Sequence, residues 1–425
     1  MDLETKFGAH NYHPIPAVIS RGKGVYVYDV DNKKYFDFLS AYSAVNQGHC
    51  HEKIVNTLIE QSQKLTLTSR AFYNDVLGEY CQFVTNFFKY DRVLPMNTGV
   101  EACESSVKIA RRWAYEKKGV KSNEAIVIFA ENNFWGRSIA AVSASTDPDS
   151  YTNYGPFVPN FVKVKYSDID AMRKAVKQHG GEKIAAVMLE PIQGFFGTVT
   201  LYVVYVVVGE AGVVIPDKDY LTQVRKLCDE HNILLICDEV QAGLGRCGAM
   251  LCGEGVFNVR ADMITLGKAL SGGLYPISAV CGRDDVIGVL TPGTHGSTYG
   301  GNPLACKVAM TALSVLREEK MPQNSTKMGE LLLKGLKELK QEFPDIVTTV
   351  RGQGLFCAIE IVTNEAKNLN AWEVCMLMKD RGLLAKPTHE YIIRLAPPLI
   401  INEKEIHQAL DIIRSALKET KQKLA

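Results

Sequence analysis

Short apolar runs alternate with amphipathic segments over the middle of the chain, from about residue 53 to residue 320. The runs 233–237 and 263–266 are examples, and polar or glycine-rich stretches follow each of them. Such runs, placed between helical patterns, are typical of parallel strands that helices cover on both faces. The pattern therefore predicts an α/β fold with a mostly parallel sheet. A final amphipathic helix is predicted by four apolar residues at helical spacing, Ile406, Leu410, Ile413 and Leu417.

Two ionisable residues follow these apolar runs directly. Asp238 comes after the run 233–237, and Lys268 comes one residue after the run 263–266. Taken singly, Asp238 could be a helix cap and Lys268 a solvated side chain. Both positions would nevertheless share the crevice at the carboxyl ends of parallel strands, where an unpaired charge costs several kcal/mol. A cofactor with a ring nitrogen and an aldehyde, pyridoxal phosphate, would give both groups a partner.

Two segments are candidates for holding a phosphate group. In the first, Thr98 and Glu101 form a predicted capping box at a helix start, where the backbone N–H groups of Gly99 and Val100 are available to an anion. These two interpretations are compatible. The second is the small, hydroxylated, glycine-rich segment 295–303, which is equally typical of a turn-rich loop.

Another apolar run, 125–130, precedes a pair of aromatic residues and an arginine. Phe134 and Trp135 suit either the core or the face of a ring-shaped cofactor. Arg137 follows at once, and arginine is the side chain that grips a carboxylate with two hydrogen bonds. The segment therefore indicates a binding site for an acidic group near the predicted crevice.

Several segments together resemble the class III (subgroup II) aminotransferases. The family motifs match, in order, residues 97–102, 133–137, 190–194, 238–241 and 267–273. Three more segments narrow the resemblance to the ornithine δ-aminotransferase branch: 40–49, 295–303 and 385–389. The match covers almost the whole chain, and the order and spacing of the motifs make it specific.

The resemblance implies the α/β architecture of a fold type I pyridoxal-phosphate-dependent transferase. A large cofactor-binding domain, residues 53–320, would contain a mostly parallel seven-stranded sheet. A smaller α+β domain would combine the N-terminal segment 1–52 with residues 321–425. The family also implies a homodimer with shared active sites, or a higher oligomer.

The resemblance further implies roles for individual residues around the cofactor. Lys268 would bind pyridoxal 5′-phosphate covalently and then serve as the general base, and Asp238 would pair with the pyridine nitrogen. Phe134 would cover the ring face, and Gln241 would contact the phenolic oxygen. The phosphate would be held by the remaining cofactor-binding residues, Gly99, Val100, Ser297 and Thr298, with Thr298 reaching the phosphate of the neighbouring subunit.

The implied reaction transfers the δ-amino group of L-ornithine to 2-oxoglutarate, giving glutamate 5-semialdehyde and glutamate. Arg137 would bind the α-carboxylate of ornithine, with Tyr12 near its α-amine and Tyr42 lining the pocket. Arg394 would bind the α-carboxylate of glutamate. In the family pattern a glutamate, at Glu210 in this chain, pairs with that arginine while ornithine is bound.

The chain departs from the family at that glutamate. The family pattern Gln-Gly-Glu-Ala-Gly is interrupted after Gly194 by residues 195–209, and it resumes at Glu210. The apolar run 195–208 is shorter than the roughly 20 residues of a membrane helix, and its β-branched residues favour a strand. A translated intron or gene-model error is the preferred interpretation. The alternative is a genuine insertion over the active site, which would change the role of Glu210.

Composition fits a metabolic enzyme with small-molecule substrates. A chain of 425 residues that is 46% hydrophobic can bury two cores, and its net charge of +1 gives no footprint for nucleic acid. Eleven cysteines without a paired framework indicate a reducing compartment. The segment 49–51 (His-Cys-His) has no second ligand cluster nearby, so we expect no metal. We also expect no membrane partner, and a cytosolic location, because no Arg-rich, acid-poor presequence precedes the family match at Gly8, although relatives are often mitochondrial.

Other functions stay open at this point. An acetylornithine or 4-aminobutyrate aminotransferase would share most of these motifs. A catalytically silent homologue, acting as a binding or scaffold protein, would arise if residues 195–209 blocked the pocket. We favour the active enzyme because every matched chemical residue is present.

Overall fold

The computed structural model describes residues 1–194, 212–364, 369–388 and 390–424. The inserted segment 195–209 and Glu210 lie outside the described residues, and so does His389. The strands are β1 Ile19–Lys23, β2 Tyr26–Asp29, β3 Lys34–Asp37, β4 Arg92–Met96, β5 Ile126–Ala130, β6 Phe161–Val164, β7 Ile184–Leu189, β8 Leu234–Asp238, β9 Met263–Leu266, β10 Ser278–Gly282, β11 Val347–Gln353, β12 Phe356–Ile361, β13 Leu383–Leu384, β14 Lys386–Thr388 and β15 Ile392–Leu395.

Helices fill most of the chain between the strands. They are α1 Asp2–Phe7, α2 Ser40–Ser43 (a left-handed turn), α3 Glu52–Lys64, α4 Leu77–Phe88, α5 Gly99–Trp113, α6 Ile139–Ala144, α7 Pro148–Tyr151, α8 Ile169–His179, α9 Tyr220–Glu230, α10 Cys252–Gly255, α11 Asp284–Ile287, α12 Pro303–Glu318, α13 Met321–Glu342, α14 Ala371–Asp380 and α15 Glu403–Leu424. None of the helices in these described ranges has the length and apolarity needed to cross a membrane.

Seven strands form the main sheet, in the order β4-β10-β9-β8-β7-β5-β6. Strands β5 to β9 run parallel to one another, and only β10 is antiparallel to the strands on both of its sides. The predicted mostly parallel seven-stranded sheet is confirmed. Because β8 and β9 are adjacent and parallel, the residues at their carboxyl ends meet at one edge of the sheet.

The central strands are buried on both faces because helices cover both sides of the sheet. In β5, Ile126 and Ile128 pack into one hydrophobic cluster, whereas Val127 and Phe129 pack into another. Successive side chains of a strand point to opposite faces, so one continuous apolar run serves two cores. This explains why the strands appear in the sequence as unbroken apolar runs.

Two smaller sheets lie outside the main one. The first, in the order β1-β2-β3-β13, contains strands from both ends of the chain, since β13 pairs in parallel with β3. The second has the order β11-β12-β15-β14. The predicted C-terminal helix is observed as α15, and all four of its predicted core residues are buried.

Gly329 in α13 provides a test of this packing. A Cβ atom at Gly329 would overlap the backbone carbonyl oxygen of Gly354. Gly354 itself has a positive φ of 57°. We expect Gly329→Ala to lower the free energy of unfolding in urea by about 3 kcal/mol, since the overlap forces the backbone to shift. Gly78→Ala is the matched control, because Gly78 is an exposed helical glycine with no atom within 4 Å of the added carbon. It should be neutral or stabilising by up to about 1 kcal/mol. Equal stability of Gly329→Ala and the parent would contradict this packing.

Candidate active site

A cavity of about 220 Å³ opens at the carboxyl edge of the main sheet, beside β8 and β9. It lies next to the first turn of α5 and the segment that follows β5. The cavity brings together six of the predicted cofactor residues. Its lining consists of Gly99, Val100, Cys103, Phe134, Trp135, Gly136, Glu190, Asp238, Val240, Gln241 and Lys268.

The carboxylate of Asp238 is buried at the end of β8 and held by three donors. Its Oδ1 accepts from the backbone N–H of Val240 at 3.0 Å and from the hydroxyl of Thr265 at 2.9 Å. Its Oδ2 lies 3.4 Å from the thiol of Cys103. Burial raises the pKa of Asp238, and these hydrogen bonds oppose that rise. The contacts fix the orientation of a carboxyl group that faces the cavity.

Lys268 lies just beyond the end of the neighbouring strand β9, and its charge interacts favourably with that of Asp238. It begins a 3₁₀ turn, Lys268–Ser271, with a left-handed φ of 47°, and its Nζ donates to Oε1 of Gln241 at 3.1 Å. Desolvation and the nearby Arg394 guanidinium lower the pKa of Lys268 to about 8. An amine with this pKa is substantially more deprotonated near neutral pH than an ordinary lysine, so it is a better nucleophile and base.

The first turn of α5 borders the cavity with its N-terminus. Thr98 caps the helix and forms the predicted capping box with Glu101. A Cβ atom at Gly99 would come within 3.0 Å of a Val240 methyl group, so this position suits glycine. The early N–H groups of a helix lack partners inside the helix and attract an anion. The donor set therefore fits pyridoxal phosphate, with N–H groups for the phosphate, a carboxylate for the ring nitrogen and an amine for the aldehyde.

Glu190 is a second buried carboxyl group in the cavity, and sequence reasoning gave it no individual role. Its Oε1 accepts from the N–H of Phe134 at 2.9 Å, and its Oε2 lies 3.5 Å from the N–H of Gly194. Burial and the charge of Asp238 raise the pKa of Glu190 to about 8. The signal was present in the sequence, because Glu190 follows the apolar strand β7 much as Asp238 ends β8.

Cys103 and Trp135 are two of the four other cavity residues without a predicted role in the site, beside Gly136 and Val240. Cys103 follows Gly99 by four residues in α5, so both lie on the same face of the helix. Trp135 stacks on Phe129 with ring centroids 5.9 Å apart, and it also lines the cavity. Trp135 is therefore both a buried core residue and part of the cavity wall.

A second group of predicted residues surrounds Arg394 on β15. The guanidinium is buried, and its Nη1 donates to the carbonyl oxygen of Gly194 at 2.5 Å. Burial lowers the pKa of Arg394 to about 10. The ring of Tyr42 lies 5.0 Å from the guanidinium carbon, whereas Tyr12 is 71% exposed in this chain.

The remaining predicted site residues lie outside the cavity lining. Arg137 is exposed, donates to the hydroxyl of Ser150 at 2.8 Å and lies 5.5 Å from the ring of Phe134. Ser297 accepts from the amide of Asn97, just before α5, at 3.0 Å. Thr298 is exposed. Glu210, the expected partner of Arg394, falls outside the described ranges.

The histidines of the segment 49–51 contact carboxylates on different elements. His49 lies 2.7 Å from Asp37, and His51 lies 3.0 Å from Glu319. Among the residues with described positions, no group of three or more His, Cys, Asp or Glu side chains is arranged to hold a metal ion.

Known proteins resemble the chain over nearly its whole length. A probable mitochondrial ornithine aminotransferase of Caenorhabditis elegans is 59% identical over 97% of this chain and 92% of its own. A solved ornithine aminotransferase of Toxoplasma gondii, with partial occupancy of pyridoxal phosphate at its active site, superposes with a TM-score of 0.92 at 42% identity. The match covers 100% of this chain and 95% of that one. An acetylornithine aminotransferase of Elizabethkingia anophelis superposes with a TM-score of 0.85 at 46% identity, covering 98% of both chains.

One protein family matches nearly the whole chain. The family described as Aminotransferase class-III matches residues 7–417, which include every element of the cavity and the strand that carries Arg394. The chain therefore belongs to the class III aminotransferase family.

Proposed function

We propose that this chain transfers the δ-amino group of L-ornithine to 2-oxoglutarate, giving glutamate 5-semialdehyde and glutamate. The observation that carries the proposal is the meeting of Asp238, Lys268 and the N-terminus of α5 in one cavity. The ornithine branch is favoured by the 59% identity to the nematode protein and by the match of the segments 40–49 and 295–303 to that branch.

Pyridoxal phosphate, when bound, supplies an aldehyde that condenses with amines and a ring that accepts electrons from the substrate carbon. Lys268 would hold the aldehyde carbon, Asp238 the ring nitrogen, and the N–H groups of Gly99 and Val100 the phosphate. Phe134 would cover one ring face, and Gln241 would contact the phenolic oxygen. Each of these residues lines the cavity, which supports the assignment.

The environment of Lys268 suits both of its proposed tasks. An amine that is to attack a carbonyl carbon must be neutral, and the pKa of about 8 makes a neutral form accessible near physiological pH. Once the substrate amine has displaced it, the same Nζ can take the proton from the substrate carbon and return it at the next step. The acceptor Oε1 of Gln241 keeps Nζ within the cavity.

Asp238 would keep the ring nitrogen protonated. A carboxylate this deeply buried resists ionisation, so its anionic form is most stable beside a positive partner. A protonated ring nitrogen is such a partner. The hydroxyl of Thr265 and the thiol of Cys103 hold the two carboxylate oxygens, so the group needs little reorganisation to face the ring.

Two arginines would divide the substrates between them. Ornithine reacts through its side-chain amine, so its α-carboxylate lies far from Lys268, and we assign that group to Arg137, with Tyr12 near the α-amine. Glutamate reacts through its α-amine, so its α-carboxylate needs the closer cation Arg394. The influence of Arg394 on the pKa of Lys268 supports this closeness. Tyr42, packed against Arg394, would line the pocket, and Glu210 would pair with Arg394 while ornithine is bound.

We propose a homodimer in which each subunit completes the site of the other. Ser297 and Thr298 would contribute to the phosphate site, with Thr298 reaching the phosphate of the neighbour. The exposure of Thr298, outside the cavity of its own chain, supports this arrangement. Phe72 and Tyr73 are also largely exposed, as expected for side chains that a second subunit covers.

The proposed domain division is a large domain of residues 53–320 and a small domain of residues 1–52 and 321–425. The pairing of β3 with β13 supports the grouping of the two ends.

We also propose a cytosolic location. All eleven cysteines are free thiols, which favours a reducing compartment, but the mitochondrial matrix meets the same condition and the nematode relative is named as mitochondrial. Cell fractionation decides between the two.

The first test is the absorbance spectrum of the purified protein with and without ornithine. The parent should show a cofactor band that ornithine shifts and that 2-oxoglutarate restores, whereas N-acetylornithine and 4-aminobutyrate should act far more weakly.

Lys268→Ala should bind the cofactor through its phosphate site yet lose turnover, because one amine serves as both nucleophile and base. A small added amine should restore part of the proton transfer. Turnover by Lys268→Ala near the parent rate would refute the role of Lys268, and a parent spectrum unmoved by ornithine would favour a silent homologue.

The second test separates the two arginines. Arg137→Ala should mainly impair the half-reaction with ornithine, and Arg394→Ala the half-reactions with glutamate and 2-oxoglutarate. Each loses a charged hydrogen bond to a carboxylate, worth about 2 kcal/mol or roughly thirtyfold in kcat/KM. Stopped-flow measurement of each half-reaction gives six values, one for each of the two variants with each of the three substrates. Equal losses in all six would exclude this division.

The third test uses the buried carboxyl group of Glu190. Its pKa of about 8 in the folded chain lies well above the roughly 4.3 of an unfolded chain. Unfolding therefore releases a proton between about pH 5 and pH 8, and the stability of the cofactor-free parent falls as pH rises through that window. Glu190→Gln removes this term, so its stability relative to the parent should be higher at about pH 8.5 than at about pH 5. Urea unfolding at both pH values checks this, with the exposed Glu330→Gln as control. A difference that does not change with pH would show that Glu190 ionises normally.

A further inference from the structure

Two positive charges stand directly opposite each other on the hairpin of β14 and β15. Lys386 is the register partner of Arg394 in this antiparallel pair. Directly opposite residues of two paired strands project from the same face of the sheet. Like charges directly opposite each other destabilise a sheet, so we expect the pair to have a role that compensates for this loss of stability. The chemistry proposed above uses Arg394 but gives Lys386 no role.

Both cations lie against the same aromatic ring. The guanidinium carbon of Arg394 is 5.0 Å from the ring centroid of Tyr42, and Nζ of Lys386 is 5.8 Å from that centroid. Nζ of Lys386 also lies 5.3 Å from the ring of Tyr12. Within the described part of the chain, none of the ion pairs includes either cation. Aromatic faces attract cations without neutralising them, so the contacts with the Tyr42 ring cancel neither positive charge.

The turn that carries Tyr42 is built to hold the ring in this place. Residues 40–43 all have positive φ values, between 46° and 72°, which residues other than glycine rarely adopt. Asp37 supports the turn, because its Oδ1 accepts from the N–H groups of Leu39 and Ser40 at 2.9 and 2.8 Å. Backbone in such a conformation persists only where surrounding contacts fix it. The position of Tyr42 beside both cations is therefore held by the fold.

We propose that Lys386 is a specificity-determining residue that favours the acidic 2-oxo acid over the basic amino donor. The inference rests on the proposed function. At neutral pH, 2-oxoglutarate carries two negative charges, whereas ornithine carries two ammonium groups and one carboxylate. A second positive charge beside Arg394 attracts the first substrate and repels the net charge of the second. Lys386 thereby strengthens binding in one half-reaction and opposes it in the other.

The competing explanation is that Lys386 has only a packing role. The methylene groups of a lysine can cover aromatic rings while the charge stays in water. In that case a side chain of similar length without charge would serve equally well. The two explanations differ in whether the charge of Lys386 or only its methylene stem matters.

The experiment compares Lys386→Met, which keeps the length and removes the charge, with Lys386→Arg, which keeps the charge. KM and kcat are measured in the complete enzyme for ornithine, for 2-oxoglutarate and for 2-oxopentanoate, which has the same chain length but one carboxylate. For Lys386→Met we expect KM for 2-oxoglutarate to rise about tenfold, the effect of one charged hydrogen bond at a partly exposed site. The rise for 2-oxopentanoate should be smaller, KM for ornithine should stay level or fall, and kcat should change less than twofold. Lys386→Arg should resemble the parent.

The outcomes separate the inference from the proposed function. A parent that binds cofactor but does not use ornithine would overturn the proposed function, whatever Lys386 does. An active parent whose Lys386→Met variant keeps the same KM for 2-oxoglutarate would overturn the inference alone. So would equal rises in KM for all three substrates, or an altered cofactor spectrum, because both indicate a structural role. A higher KM for 2-oxoglutarate with a level or lower KM for ornithine in Lys386→Met, and neither change in Lys386→Arg, would support the inference.

Discussion

The burial of a carboxyl group and an amine at the ends of two adjacent parallel strands is the constraint on which the site depends. Burial raises the pKa of Asp238 and lowers that of Lys268, so each charged form is disfavoured by the same loss of water. The two groups also favour each other's charged forms, which limits both shifts. The site therefore holds an amine that can be neutral and a carboxylate that is best stabilised by a cation. Those are the two properties that a pyridoxal-phosphate enzyme requires.

The surrounding fold buries these two groups without leaving the neighbouring polar side chains unpaired. Strands β8 and β9 are mostly apolar on both faces because helices cover both sides of the sheet, and the ionisable groups Asp238 and Lys268 lie where the strands end. Thr265 in β9 and Cys103 in α5 are two polar residues within this buried packing. Both donate to the carboxylate of Asp238, so each buried polar group there has a partner. The core of the sheet and the orientation of the carboxylate are thus parts of one packing arrangement.

Features that depend on local periodicity could be predicted from the sequence. The strands at 234–238 and 263–266, the capping box at Thr98 and the buried face of α15 all follow from spacing along a few turns or one strand. Contacts between distant segments could not be derived in this way. The antiparallel direction of β10 and the contact of Tyr42 with Arg394, which are 352 positions apart by residue number, depend on tertiary packing. The family resemblance gave Tyr42 and Arg394, whereas neither the direction of β10 nor the thiol contact of Cys103 was predicted.

Gly194 connects the two halves of the site and limits what the chain beyond it can do. Its N–H faces Glu190, beside the cofactor cavity, while its carbonyl oxygen accepts from Arg394, the proposed cation for glutamate. A Cβ atom at this position would overlap the side-chain amide of Gln241 and come within 2.9 Å of the Phe356 ring, so the close packing here suits glycine. Three cavity or substrate residues therefore fix the backbone at the residue that immediately precedes the departure from the family sequence. Since a displaced Gly194 would disturb Glu190 and Arg394 together, an active enzyme requires that residues 195–209 leave this anchor in place, whatever their origin.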